Sequence, residues 1–220
     1  MVLSAVIFDL DGTLLDSLED LAESMNQALE SLGFAPHPVP AYRYFVGDGM
    51  EVLARRVLPE AARTSETLAR TVAAMRQVYG GRWDLKTRPY AGVPEMLKAL
   101  EDRGLRRAVL SNKPDDFTRL TVERLLAPHI FDLVQGVGPG TPPKPDPAGA
   151  LALAARLGVE PAACLYLGDT ATDMQTACRA GMYAVGALWG FRTRDELEES
   201  GARVVVQTPA EVLALLERLV

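Results

Sequence analysis

The chain opens on an apolar, β-branched stretch, Leu3 to Leu10, that shows no polar alternation. A run with no wet face suits a strand buried on both sides, as at the centre of a parallel sheet. Asp9, Asp11 and Gly12 turn it polar at its end. The period then changes. Leu18, Leu21, Ala22, Met25, Ala28, Leu29 and Leu32 recur at three- and four-residue steps, the mark of one apolar helix face. Asp16 and Ser17 are placed to cap its start and Gly33 to stop it. The prolines between Pro36 and Pro40 break the pattern. Helical steps resume over Glu51 to Val57 and Glu66 to Val78, and Gly80-Gly81 punctuates the chain.

From about Arg88 the pattern alternates. Helical runs (Val93 to Glu101, Asp116 to Leu126, Ala148 to Leu157, Thr172 to Ala180) are interleaved with short apolar runs. The apolar runs are Ala108 to Leu110, Leu133 to Gln135, Ala163 to Leu167, Tyr183 to Val185 and Val204 to Val206. Alternation of this kind predicts βαβ units. The expected fold is α/β, a Rossmann-like doubly wound parallel sheet built from residues 1–15 and 86–220. An all-helical insertion over residues 16–85 follows the first strand. Such an insertion is expected above the carboxyl ends of the strands, where open α/β sheets bind ligands.

Composition changes the picture little. The 220 residues are 48% hydrophobic and 24% charged, which excludes a disordered or fibrous chain. The 23 Lys and Arg against 29 Asp and Glu give a formal charge of −6, with no basic block. Neither nucleic acid nor an anionic membrane is an expected partner. Cys164 and Cys178 are too few for a disulfide framework or a zinc site. The start Met1-Val2-Leu3-Ser4 lacks the basic leader of a signal peptide, and no apolar run approaches the roughly 20 residues a bilayer requires. A cytoplasmic location is expected.

The chemistry is carried by four polar positions, most of them just after a predicted strand. They are Asp9-Leu10-Asp11-Gly12-Thr13, Ser111-Asn112, Lys144-Pro145, and Gly168-Asp169-Thr170-Ala171-Thr172-Asp173. Strands of one parallel sheet point their carboxyl ends the same way, so these groups are expected in one crevice. Asp9, Asp11, Asp169 and Asp173 would crowd four negative charges there, which like carboxylates do not sustain unaided. Hard oxygen donors around an incompletely caged site suit Mg²⁺, and Lys144 would offset part of the remainder. The same assembly would clamp a phosphoryl group. Singly, each aspartate is as well read as a turn or cap residue. The order of all four is what carries the reading.

These residues resemble the haloacid dehalogenase superfamily of phosphatases over essentially the whole chain. Phe8-Asp9-Leu10-Asp11-Gly12-Thr13-Leu14-Leu15-Asp16-Ser17 matches its first motif without a gap. Ser111-Asn112 matches the second, Lys144-Pro145-Asp146-Pro147 the third and Gly168 to Asp173 the fourth. Within the superfamily, Val46-Gly47-Asp48-Gly49, the triplet Ser111-Asn112-Lys113 and the run into Lys144-Pro145 are most similar to the phosphoglycolate phosphatases. The resemblance implies that the helical insertion is a cap domain and that Asp9 is a nucleophile forming an aspartyl-phosphate. Asp11 would act as acid and then base. Ser111, Asn112 and Lys144 would bind phosphate. Mg²⁺ would be held by Asp9, Asp169 and the Asp11 carbonyl, with Asp173 acting through a water. Gly47, Asp48 and Gly49 would contribute to substrate specificity. The implied reaction is hydrolysis of a small phosphate monoester, with 2-phosphoglycolate giving glycolate and phosphate, by a monomer or homodimer.

Other readings are an inorganic pyrophosphatase, a sugar or small-metabolite phosphatase, a mutase, or a silent phosphate-ligand binder. Asp11 argues against a dehalogenase, which has no leaving alkoxide to protonate. A phosphonatase needs a Schiff-base lysine on the cap, and the four lysines are Lys86, Lys98, Lys113 and Lys144, none within 16–85. The family's mutases carry a histidine early in the first cap helix, where this chain has Leu21. His37, His129, Trp83 and Trp189 read as loop or packing residues, and Arg55 and Arg56 as a solvated helix face or as partners of a glycolate carboxylate. Gly136-Val137-Gly138-Pro139-Gly140 lacks the Gly-Lys-Ser/Thr of a P-loop.

Overall fold

A computed structural model describes residues 3–129 and 131–219. Met1 and Val2, on which the N-terminal reading begins, lie outside the described residues, as do Ile130 and Val220. The chain runs β1 (Ala5–Phe8), β2 (Leu15–Asp16), α1 (Leu18–Ser31), α2 (Tyr42–Phe45), α3 (Met50–Val57) and α4 (Ser65–Gly80). It continues through β3 (Arg88–Pro89), α5 (Val93–Asp102), β4 (Arg106–Pro114), α6 (Asp115–Leu125), β5 (Leu133–Val137) and α7 (Ala148–Leu157). It ends with β6 (Cys164–Gly168), α8 (Ala171–Arg179), β7 (Tyr183–Ala187), α9 (Arg194–Glu199), β8 (Val204–Val206) and α10 (Pro209–Leu219). Two compact units result, one of residues 1–15 and 89–220, the other of residues 16–88.

In the first unit, six parallel strands lie in the order β5-β4-β1-β6-β7-β8. This is the doubly wound α/β fold expected from the alternation. The strand period of two explains the continuous apolar run of β1. Val6 and Phe8 pack on one face with residues of α5, α6 and α10, among them Leu97, Val122 and Leu215. Ala5 and Ile7 face the other way, toward Leu153 of α7 and Met174 and Ala177 of α8. With both faces covered, no position of β1 meets water, and all four residues are fully buried. Chain direction across the sheet reverses beside β1, which has β4 on one side and β6 on the other. That reversal opens a crevice at the carboxyl ends of β1 and β6.

In the second unit, α4 packs on α1 and α3. The buried face of α1 carries Leu21, Ala22, Met25, Ala28 and Leu29, the stripe expected from the spacing. Ser17 occupies the N-cap position without a side-chain capping bond, and its hydroxyl is buried among groups that do not bond it. Asp20, also on α1, is fully buried and accepts from Lys86 N (2.9 Å), Thr87 N (2.8 Å) and Thr87 Oγ1 (2.7 Å). The unit extends three residues beyond the expected 16–85 boundary because Asp20 holds this returning segment. No helix among the described residues is long and apolar enough to cross a membrane.

Candidate active site

Asp9 follows β1 and Asp169 follows β6, so the two flank the crevice at the point of reversal. Gly168-Asp169-Thr170 turns directly into α8. Thr170 is the helix N-cap, its Oγ1 accepting from Asp173 N while the Asp173 carboxylate accepts from Thr170 N. The spacing of the fourth motif is therefore that of a capping box, which fixes Asp173 at the foot of the crevice. Lys144 comes from the loop between β5 and α7. Its Nζ lies 2.7 Å from Asp9 Oδ1 and 2.7 Å from Asp173 Oδ1.

Carboxylate oxygens of Asp9, Asp169 and Asp173 lie within 4.8 Å of one another, and all three residues are buried. Three carboxylates facing one ammonium leave an excess of negative charge in a dry place. Burial, then the neighbouring Asp173, pushes Asp9 well above the usual carboxylate range, against the pull of Lys144. Burial and Asp173 push Asp169 up to about 7. Burial would strip the proton from Lys144, but Asp173 and Asp9 outweigh it and hold the ammonium charged. Tyr166 OH reaches Asp173 Oδ1 at 3.4 Å, and burial raises its own pKa.

The donor set fits a hard divalent cation. It is all oxygen, and the carboxyl groups are held together at the expense of their ionisation. The four aspartates do not contribute alike. Both oxygens of Asp173 already accept from protein donors, Oδ1 from Lys144 and Oδ2 from Thr170. Asp169 accepts from Thr13 Oγ1 (2.8 Å) and Phe191 N (2.9 Å), one bond to each oxygen. Asp11 stands apart from the three, with both carboxylate oxygens 2.8 Å from Lys113 Nζ.

The predicted phosphate-binding residues converge on the same end of the sheet. Ser111 Oγ accepts from Lys113 N at 3.2 Å, which leaves its O–H to donate. The Asn112 side chain also bonds within the protein. Its Oδ1 accepts from Lys144 N (2.8 Å) and its Nδ2 donates to Lys144 O (3.1 Å), so it clamps the lysine loop.

Two features escaped the sequence reading. Lys113 was visible only as the third residue of a triplet, although it is one of just four lysines. The second is the loop after β7. Trp189 Nε1 donates to Thr13 O at 2.9 Å, and Phe191 N reaches Asp169, so this loop braces both the first and fourth motifs. Trp189 thus does more than pack at an element end. Glycine is required on both sides of the brace. Gly12 has φ +95°, and a Cβ there would overlap the Asp169 carboxylate and the Phe191 ring; at Gly190 it would overlap Asp169 and the Gly12 carbonyl.

Gly47, Asp48 and Gly49 belong to the helical unit. Gly47 and Gly49 have φ +112° and +91°, and Asp48 Oδ2 pairs with Arg56 Nη2 at 2.5 Å. Arg56 also donates to Phe45 O at 3.0 Å, so it braces this loop. His37 Nε2 lies 2.8 Å from Val57 O, a packing role. Burial raises the Cys164 thiol to about 11, the behaviour of an inert core thiol. Lys86 falls inside the helical unit, contrary to the expectation that this unit holds no lysine. Its Nζ pairs with Glu19 (2.5 Å) and Glu23 (2.6 Å), and the Glu19 hydrogen bond foremost raises its pKa. A Schiff-base amine needs the opposite shift, so nothing at Lys86 favours the lysine chemistry of a phosphonatase.

Residues 6–187 match the sequence model of the haloacid dehalogenase-like hydrolases. The chain belongs to that family. A phosphoglycolate phosphatase of Pseudomonas putida is 33% identical over 205 residues, 91% of this chain and 75% of the relative. One from Aquifex aeolicus is 33% identical over 186 residues, 84% and 85% of the two chains. Among solved structures, a candidate phosphoglycolate phosphatase from Lactobacillus delbrueckii subsp. bulgaricus superimposes with a TM-score of 0.93 at 31% identity. The match covers 98% of this chain and 99% of that one.

Proposed function

We propose that this chain is a Mg²⁺-dependent phosphatase of small phosphate monoesters, acting through an aspartyl-phosphate on Asp9, with 2-phosphoglycolate as its substrate. The observation that carries this reading is the buried pairing of Asp9 and Asp173 with Lys144 beside Asp169 at the carboxyl end of β1. Two phosphoglycolate phosphatases at 33% identity support the substrate.

Asp9, at the mouth of the crevice, supplies the attacking carboxylate oxygen. Its bond to phosphorus forms as the bond from phosphorus to the ester oxygen breaks. Asp11 gives a proton to the departing alkoxide, then takes one from the water that attacks the aspartyl-phosphate. That attack releases inorganic phosphate and restores Asp9. Lys144 and the Ser111 hydroxyl hold phosphoryl oxygens, and the Asn112 side chain keeps the lysine loop in register. Asp9, Asp169 and the Asp11 carbonyl would hold the cation, with Asp173 acting through water while it orients Lys144. When bound, Mg²⁺ supplies the positive charge that lets these carboxylates coexist with a phosphate.

The helical unit serves as the cap in this reading. Its Gly47–Gly49 loop, braced by the Asp48–Arg56 pair, takes part in selecting the leaving group.

Phosphate release from 2-phosphoglycolate, pyrophosphate and a set of sugar phosphates tests the proposal. EDTA should suppress release and Mg²⁺ should restore it. Asp9→Asn should remove it. An Asp9→Asn protein as active as wild type overturns the mechanism, and a higher kcat/KM for pyrophosphate or a sugar phosphate overturns the substrate.

A further inference from the structure

The proton donor proposed above sits on a short turn, and its carboxylate must be aimed. Asp11 lies between the end of β1 and Gly12, with an isolated bridge to Leu15 as its backbone tie. Its side chain is 16% exposed, and each oxygen is 2.8 Å from Lys113 Nζ. Lys113 is well suited to hold it. The lysine side chain is only 3% exposed, so the surrounding packing fixes its long stem. Its backbone is pinned as well: Thr118 Oγ1 donates to Lys113 O at 3.2 Å, and Lys113 N donates to Ser111 Oγ at 3.2 Å. A rigid ammonium touching both oxygens removes the rotation that a carboxylate on a turn otherwise keeps.

We propose that Lys113 is the positioning residue that aims the Asp11 carboxylate at the leaving-group oxygen, while its own amide orders Ser111. The proposal rests on the reading of Asp11 as the general acid. Lys113 Nζ is held on the Asp11 carboxylate, so loss of the side chain should act through Asp11. The consequence is specific. Esters whose leaving group needs a proton depend on the aim of Asp11, and esters whose leaving anion is already stable do not.

The test measures kcat/KM, which reports steps up to departure of the leaving group, on methyl, phenyl, 4-chlorophenyl and 4-nitrophenyl phosphate. These leaving groups carry no ionised acid group in the ester, so direct binding of a substrate carboxylate is out of the comparison. Lys113→Met, which keeps the length of the buried stem, should lower kcat/KM for methyl phosphate about 100-fold. For 4-nitrophenyl phosphate the loss should stay below about fivefold. Lys113→Arg, which can pair with both oxygens, should recover about tenfold on methyl phosphate and serves as the folded control. In an Asp11→Asn background, Lys113→Met should add less than about threefold, since the two residues act as one unit.

Equal losses across the four esters, or full additivity with Asp11→Asn, overturn the proposal. The two readings fail separately. If Asp11→Asn itself shows no dependence on the leaving group, the assignment of Asp11 fails. If Asp11→Asn shows it and Lys113→Met does not, the role of Lys113 alone fails.

Discussion

Asp169 and Asp20 are both fully buried aspartates, one in each unit, and their surroundings differ in kind. Asp169 sits among Asp9 and Asp173, with one hydrogen bond to each oxygen, and burial with Asp173 lifts its pKa to about 7. Asp20 is instead held by donors from one returning segment. Its Oδ2 takes two backbone N–H groups and a hydroxyl from Lys86 and Thr87, and so fastens the returning segment to α1. The first carboxylate is crowded by negative charge in a buried place. The second spends itself on the fold. The same residue type, equally buried, is crowded by like charge in one unit and satisfied by donors in the other.

The largest effect is expected at Asp169. Asp169→Asn should lower phosphatase activity at least about 10³-fold. The same change should leave the metal-free protein as stable as wild type or more so, because it removes a crowded charge. Its amide oxygen can keep the Phe191 N–H, and the Thr13 hydroxyl can turn to accept. Parallel activity assays and urea unfolding in EDTA check both halves. A large loss of metal-free stability would contradict the crowding argument.

Asp20→Ala should do the reverse, costing about 3 kcal/mol of stability by leaving buried donors without an acceptor. Asp20→Asn keeps an acceptor and should cost about 1 kcal/mol. Urea unfolding ranks the two. Equal costs would show that the hydrogen bonds to Oδ2 are not what holds the segment.

Gly190→Ala should cost about 2 kcal/mol, because the added Cβ must displace Asp169 or the Gly12 carbonyl. Activity should fall too, since the overlap with the Gly12 carbonyl strains the loop while the overlap with Asp169 displaces its carboxylate. Thermal melts with phosphate-release assays read both, and an unchanged melt would place the loop farther from Asp169.

The pH dependence of the metal-free protein should be smaller but signed. Asp169 titrates at about 7 folded against 3.8 as a free side chain, and Asp9 is raised too. Between those values the folded state binds more protons than the unfolded one, so these groups favour folding as pH falls from 7 toward 4. Their contribution is lost as pH rises through 7, and saturating Mg²⁺ should flatten the trend. Melting temperatures in EDTA at pH 5.5 and 8, repeated with Mg²⁺, measure it. A higher value at pH 8 in EDTA would reverse the sign.

The smallest effect belongs to the surface. Burial works to raise the pKa of Asp132, but Arg107 N and Arg106 outweigh it and hold the carboxyl below its usual range. Asp132→Asn should cost less than about 1 kcal/mol at pH 7. The difference should fade as pH falls through that depressed value. Unfolding curves at pH 7 and pH 3 resolve it.

The expected strands and helices correspond closely to the observed ones where the signal was local. Ala148 to Leu157 and Val204 to Val206 agree to the residue. The strand expected at Ala108 to Leu110 extends to Pro114, because β4 carries the polar Ser111-Asn112-Lys113 that no apolar pattern marks. The two-residue strands β2 and β3, and four-residue α2, are too short to show a period. The helix α10 buries Val212, Leu215 and Leu216, whose three- and one-residue steps are a local signal that the expected elements do not include.

Spacing along the chain was enough to mark the apolar core strands, the buried stripe of α1 and the four polar motifs. Those are properties of spacing, and spacing is local. Only the tertiary structure decided that Lys113 meets Asp11 from 102 residues away, that Thr13 meets Asp169 from 156, and that Asn112 clamps the Lys144 loop. Contacts of that kind leave no periodic trace, because the sheet order rather than the sequence brings the partners together. Motif order marked which polar groups to expect in one crevice. The fold decided which of them bond one another.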